Sequence, residues 1–281
     1  MGSGLKRSMR ILTYSGVFVL AYLMAYPILW MAASSLKDNS EVFNHAHSLI
    51  PNEWRWDNYV RGWEGFGDYT FFTFFKNSFV ITIAATVGAV SSSALVAYGF
   101  TRTMFAGKGL LFVCMMMTMM LPAQVLVIPQ YVFFQKIGWV NTFLPLIVPA
   151  FFGSAFFIFL LMQFIRGIPM DLDESAKIDG CGKFGIFFKI MLPLIVPALV
   201  TASIFQFYWV WDDFFSPLLY LNETKLFTVS LALKLFSDPQ NATDWSGMFA
   251  MSVLSLLPVV IIFVLFQRFI VEGISTTGIK S

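Results

Sequence analysis

Charge is what this 281-residue chain has least of. Asp, Glu, Lys and Arg make up 12% of it, about half the share usual in soluble domains, while apolar residues make up 58%. Mean hydropathy is +0.74. These values exclude an ordinary soluble domain and point to a lipid bilayer as the solvent. A net charge of +2 lacks the basic excess that nucleic-acid binding demands, so no nucleic-acid partner is expected. Cys114 and Cys181 are the only cysteines, one in an apolar run and one in a polar loop, so no structural disulfide is expected. Histidine occurs only at His45 and His47, without other ligand types at metal spacing, so no metal site is expected. A membrane-embedded enzyme would need a base or metal set within the spans, and no histidine is there. The chain also lacks a Gly-x-x-x-x-Gly-Lys-Ser/Thr phosphate loop, so any ATP-driven step belongs to another chain. Asn241-Ala-Thr243 fits the glycosylation pattern, but so short a motif occurs often by chance.

What the chain has is long apolar runs. About 20 apolar residues cross the hydrocarbon, and six such runs are predicted, at about Ile11–Ser34, Ser78–Phe100, Leu110–Pro129, Phe143–Ile165, Ile190–Leu221 and Met248–Ile270. The fold class is therefore an all-α membrane protein of six transmembrane helices. The first run follows Lys6, Arg7 and Arg10 like a signal peptide, but it is too long for a signal core and reads as an anchor. An even number of spans puts both termini on one side. Segments 1–10, 102–109, 166–189 and 268–281 hold 11 Lys/Arg in 56 residues, against 7 in 79 for segments 37–76, 130–142 and 222–247. The denser set is cytoplasmic by the positive-inside rule. The organisation read from this is a cytoplasmic tail 1–10, a transmembrane domain 11–270 with outer loop 37–76 and inner loop 166–189, and a cytoplasmic tail 271–281.

The inner loop carries its own helix signals. It reads Asp171-Leu-Asp-Glu174-Ser-Ala176-Lys-Ile-Asp179-Gly180, then Ile190-Met-Leu192-Pro193. Pro169 ends the preceding span, and Asp171 with Glu174 makes a capping-box-like start at the positive end of the helix dipole. Gly180 supplies a left-handed stop. A helix over about Leu172–Asp179 follows, with Ser175 and Ala176 small enough for a partner backbone to come close. A second short helix, Lys183 to about Met191, carries Phe184, Phe187, Phe188 and Ile190 and would lie along the inner bilayer surface. Capping alone is met equally well by an ordinary surface helix.

The spans are rich in breakers: nine of the 12 prolines fall within or at the edges of apolar runs. Broken helices at membrane depth are tolerated where they pack on protein or line a cavity. The second span carries a small-residue stripe, Ala85, Gly88, Ala89, Ser92, Ser93 and Ala97, suited to close helix packing. Two carboxylates, Asp212 and Asp213, sit well inside a run, among Tyr208, Trp209 and Trp211. Intramembrane carboxylates default to function, and acceptors beside indole faces suit a polyhydroxylated ligand. An outer-mouth ion pair is the structural alternative. Residues three apart share a helix face, which groups Trp209 with Asp212 toward a cavity and Tyr208 with Trp211, and leaves Asp213 to anchor the outer end.

Spacing within the inner loop is more specific than its capping. Glu174-x-Ala176, Gly180 four residues later, nine intervening residues and Ile190-x-Leu192-Pro193 resemble the signature loop of permease subunits of ATP-binding-cassette importers. Ser175 departs from that family's usual alanine. Leu36-Lys37, Pro51 through Asn58-Tyr59, Ala97-Tyr98-Gly-Phe100-x-Arg102, Leu121-Pro-x-Gln124, Trp211-x-Asp213-Phe214 and Gln267-Arg268 with Gly273, Gly278 and Lys280 are similar to the carbohydrate-importer branch, the maltose-type and glycerol-phosphate-type systems. Asp212 replaces that branch's usual asparagine. The resemblance spans nearly the whole chain and implies a type I ABC importer permease fold in a bacterial inner membrane. It implies as partners a second homologous permease, two ATPase subunits, an extracytoplasmic solute-binding protein and a carbohydrate. ATP and Mg would be used by the ATPase subunits, with no cofactor on this chain. Asp171, Glu174, Ser175, Ala176, Asp179, Gly180, Ile190, Leu192 and Pro193 would be coupling residues in an alternating-access cycle, none of them catalytic. An ion-coupled secondary transporter using Asp212 and Asp213 is the rival, and it lacks an evident repeat between halves.

Overall fold

The computed structural model describes residues 2–237 and 243–278, so Asn241 and Lys280 lie outside the described residues. Helices α1 (Gly2–Ser34), α2 (Glu41–Asn44), α3 (Asp57–Glu64), α4 (Phe71–Arg102), α5 (Lys108–Met120), α6 (Ala123–Lys136) and α7 (Leu144–Ile147) come first. They are followed by α8 (Ala155–Arg166), α9 (Asp171–Ile178), α10 (Lys183–Ile186), α11 (Leu192–Leu194), α12 (Val196–Asp212), α13 (Phe215–Tyr220), α14 (Val229–Leu233) and α15 (Trp245–Gly278). No β-strand occurs among the described residues.

Four helical stretches are long and apolar enough to cross a bilayer alone: Met9–Ser34, Phe71–Arg102, Leu144–Arg166 and Trp245–Phe269. Two further pairs qualify only together, and each is sharply bent. Lys108–Met120 and Gln124–Lys136 meet at 103°, and Lys183–Leu194 and Val196–Asp212 meet at 75°. Six crossings result if each bent pair is one span. The third run thus differs from the uninterrupted span expected over Leu110–Pro129. Leu121 precedes Pro122 and is driven into extended backbone, at φ −77° and ψ 124°, which ends α5. The fifth run, expected to reach Leu221, ends its helix at Asp212, and α13 starts separately. Pro145, Pro193 and Pro197 stand in first turns, where the missing N–H costs nothing, whereas Pro27, Pro129 and Pro258 lie within helices.

The chain divides into two compact units, Met1–Phe71 with Leu233–Leu257, and Phe72–Ala232 with Pro258–Ser281. In the first unit, the segment after α1 is organised around Lys37, which is fully buried. Its Nζ donates to the carbonyls of His45 at 3.1 Å and Ser48 at 2.6 Å. Asn58 Nδ2 donates to the Ser35 and Lys37 carbonyls at 2.9 and 2.8 Å. A side chain at Gly62 would collide with Met251 and the Gly247 carbonyl, so α3 lies against the start of α15 there. Asp38 Oδ1 accepts from the Ser40 hydroxyl and amide, and these bonds, with Arg55 and Arg61 nearby, hold its carboxyl below the usual value.

In the second unit the small-residue stripe is buried, with Ala85, Ala89, Ser93 and Ala97 all inside. The segment Val148–Phe152 takes up the space: Phe151 covers Gly88, where a Cβ would come within 2.5 Å of the ring. Ser93 Oγ receives the Ser154 amide at 3.0 Å. Close packing is what those small residues supply. The core continues through Tyr98, Ile158, Leu161, Ile165, Ile186, Phe187 and Met191.

Candidate functional site

The site begins at α9. Met170 occupies its cap position, and the Met170 carbonyl accepts from Asp173 N at 2.9 Å and Glu174 N at 3.1 Å. No side chain caps the first turn, so the capping box expected of Asp171 and Glu174 does not form. The chain enters the helix one residue earlier than expected, which leaves Asp171 inside the first turn, facing the dipole. The other end is as the sequence predicts. Gly180 has φ +81°, Gly180 N bonds Lys177 O at 3.0 Å and Cys181 N bonds Ala176 O at 2.9 Å. That pair of bonds is a Schellman stop.

Only Asp173 and Ala176 of α9 are buried. Leu172, Glu174, Ser175 and Ile178 face outward, Ile178 being 85% exposed, and the flanking Asp179 is also exposed. Ser175 Oγ bonds back to the Asp171 carbonyl at 2.9 Å. Ala176 is packed into this chain's own core beside Tyr98 and Phe187, so its small size seats α9 instead of admitting a partner backbone. Ile190 and Leu192 pack on the same core, and Pro193 stands in the first turn of α11. Tyr98 OH donates to the Lys183 carbonyl at 3.1 Å, tying the end of the loop to α4.

Asp173 has a partner that sequence reasoning missed. Arg102, the last residue of α4, places Nε 3.3 Å from Asp173 Oδ2, with both side chains 4% exposed. Its Nη2 donates to Ile165 O at 3.0 Å and Ile168 O at 2.6 Å, and its Nη1 contacts the Met170 sulfur. One guanidinium therefore joins the C-terminal end of α4, the last turn of α8 with the segment after it, and the first turn of α9. The sequence held two signals: Asp173 and Ala176 are three apart on one face, and Arg102 ends the second apolar run. Removing one partner of such a pair costs about 3–5 kcal/mol, because a buried charge is left uncompensated.

On α12 the expected pathway residues separate. Phe205, Tyr208, Trp209 and Asp212 are exposed and recur at three- and four-residue steps, forming one face, with Trp209 44% exposed. Trp209 packs against the tilted rings of Phe156 and Phe157, both centroids at 5.3 Å. Trp211 departs from the expected grouping with Tyr208. It is 6% exposed, packed by Phe79 at 4.8 Å and Phe207 at 5.6 Å, because it lies past the edge of the exposed stripe. Asp213 Oδ1 accepts from Ser216 N at 3.0 Å and so starts α13. Its carbonyl accepts from Ser230 Oγ at 2.8 Å. A cavity of about 290 Å³ lies beside it, lined by Ser78, Thr82, Gln124, Gln130, Asp213 and Tyr220 among others. Asp213, not Asp212, reaches this cavity. No group of three or more metal-ligating side chains occurs among the described residues.

Comparison with known proteins supplies the family. Residues 89–276 match the family model described as "binding-protein-dependent transport system inner membrane component". The chain is 37% identical over 268 residues to a probable ABC transporter permease protein of Bacillus subtilis, covering 94% of this chain and 87% of that one. It is 31% identical to an arabinooligosaccharides transport system permease protein of Halalkalibacterium halodurans, covering 94% of each. A crystal structure of a bacterial ABC transporter involved in the import of alginate has the same fold, with TM-score 0.82, 21% identity, and coverage of 95% of this chain and 98% of that one. The matched region takes in the C-terminal half of α4, the α9 loop and α12, and the chain belongs to the inner membrane components of binding-protein-dependent transport systems.

Proposed function

We propose that this multi-pass permease carries a sugar or oligosaccharide inward, forming half of the route with a second permease and taking its drive from ATPase subunits docked on α9. The observation that carries the reading is the construction of α9. It is closed by a glycine stop, seated inward by Asp173 and Ala176, and offers Leu172, Ser175 and Ile178 outward. An exposed apolar residue such as Ile178 in a short polar helix is what a partner's cleft would cover. The carbohydrate class is supported by the arabinooligosaccharide relative, and by the Tyr208, Trp209 and Asp212 face, which offers ring surfaces beside an acceptor. ATP and Mg would be bound by the ATPase subunits, since this chain has no phosphate loop. Solute would arrive on an extracytoplasmic binding protein. The Lys/Arg bias supports cytoplasmic termini.

The test is ATPase activity of the reconstituted assembly. Stimulation by binding protein loaded with sugar, with uptake that stops when ATP is withheld, is the expected result. Uptake driven by a proton gradient without ATP would overturn the reading in favour of an ion-coupled carrier.

A further inference from the structure

The connections on both sides of α9 are short and carry glycine. Gly167-Ile168-Pro169-Met170 precedes it, and Asp179-Gly180-Cys181-Gly182 follows. A two-turn helix has little stability of its own, so its attitude is fixed by tertiary contacts. The inward contacts of α9 are of two kinds. Ala176 presents a methyl group to apolar neighbours, which resists compression but allows sliding. Asp173 meets Arg102 through a buried ion pair, which resists separation of the two charges. Pushing on the outward face through Leu172 or Ile178 would therefore flex the glycine-bearing connections unless something stiffer carried the load to a membrane helix.

We propose that Arg102 is that element: a positioning residue that holds α9 to the inner end of α4, so that displacement of the coupling helix moves the membrane helix. The inference rests on the coupling role proposed above. The geometry is specific to arginine. Its Nη2 serves Ile165 O in the last turn of α8 and Ile168 O two residues past that helix, while Nε faces Asp173. A positive group there suits the negative end of the α8 dipole, and Asp173 in the first turn of α9 suits the positive end of that helix. A planar fork can hold both ends at once; a lysine ammonium on a flexible stem cannot. Asp173 Oδ1 and Arg102 Nε both lack a hydrogen-bond partner, so the junction rests on charge attraction at the Oδ2 edge together with the two bonds from Nη2. The inner end of α4 then continues through Ala97 and Ser93 into the packed stripe that Phe151 and Ser154 cover, giving a rigid path into the membrane.

The experiment uses the full assembly with partner permease, ATPase subunits and binding protein, and reads sugar imported per ATP hydrolysed per assembled complex. A residue needed only for folding lowers the amount of complex and leaves that ratio unchanged. Arg102→Lys, which keeps the charge, is expected to lower the ratio at least tenfold while binding-protein-stimulated hydrolysis persists. Arg166→Gln, at an exposed arginine on the same side, is expected to leave it unchanged. A wild-type ratio in assembled Arg102→Lys overturns the proposal. Should that variant fail to assemble, the near-isosteric Asp173→Asn decides in the same assay: a lowered ratio supports the junction, an unchanged one overturns it. Gly180→Val separates the two levels of inference. If it uncouples while Arg102→Lys does not, only the junction is wrong; if both remain coupled, the α9 assignment itself falls.

Discussion

Gly180→Val is the substitution whose effect the structure defines most narrowly. Nothing lies within 4 Å of where its Cβ would stand, so no neighbour is displaced. The whole cost is backbone: at φ +81° an L-residue pays about 1–2 kcal/mol, with a β-branched one at the upper end. That strain falls on the two bonds that close α9, from Gly180 N and Cys181 N. One to two kcal/mol raises the population of the opened end about 5- to 30-fold. Hydrogen exchange at these two amides should quicken by that factor. Sugar uptake by the assembled transporter should fall, while insertion and complex yield stay near wild type. Gly180→Asn is the control, because asparagine tolerates the left-handed region and should retain most of both signals. Slow exchange and full uptake in the valine variant would refute the claim that this stop holds the coupling helix.

Gly88→Leu should lower the thermal midpoint of the complex by an overpacking cost of about 1–3 kcal/mol, since Phe151 already fills the space; an unchanged midpoint would mean that segment 148–154 can move aside freely. A reporter after Ser281 and a thiol probe at Ser175 should both report the cytoplasm, with a probe at Asn52 outside; labelling of the C-terminus from outside would overturn the topology. Asp38, with its lowered carboxyl, should contribute stability above the ordinary value of 3.8 and lose it as pH falls through the lower folded value, so Asp38→Asn should remove that acid-side dependence. Retention of the wild-type acid profile would contradict it. Asp212→Leu should abolish most uptake without preventing assembly, whereas Asp212→Asn should transport with altered range or affinity; wild-type selectivity in the leucine variant would take the carboxylate off the route.

Helix α9 was legible because its signals are local. A glycine four residues after an alanine and a proline before the first turn set its bounds to within one residue, Asp171–Ile178 against Leu172–Asp179. What the sequence hid is which face turns inward. Asp173 reads as one of three acids suiting a dipole. Its burial depends on Arg102, which arrives from a different span and leaves no periodic trace near the loop. The bends were hidden for a related reason. Proline marks places where a span can break, but whether it bends or stops depends on what neighbours take up the freed backbone groups. Pro129 stays inside α6, while Leu121-Pro122 ends α5. Tyr208 and Trp211 are neighbours three residues apart that straddle the boundary between the exposed stripe and the packed side, and that boundary is set by Phe79 and Phe207 and not by spacing within the helix.

The two carboxylates of α12 show how adjacent residues of one type acquire different work. Asp213 stands where the helix ends, at φ −65° and ψ 115°, and its Oδ1 takes the amide that opens α13, so its position is fixed by local backbone need. Any ligand in the adjoining cavity would meet a carboxylate already half engaged. Asp212 is the last residue of α12, exposed at the end of the Phe205, Tyr208 and Trp209 stripe, with no such backbone duty. A carboxylate placed on a largely apolar face of a membrane helix is costly unless water, a partner or a solute meets it. Such a face suits a wet surface or a joint with another chain, and the uptake of Asp212→Leu decides whether it lines the route.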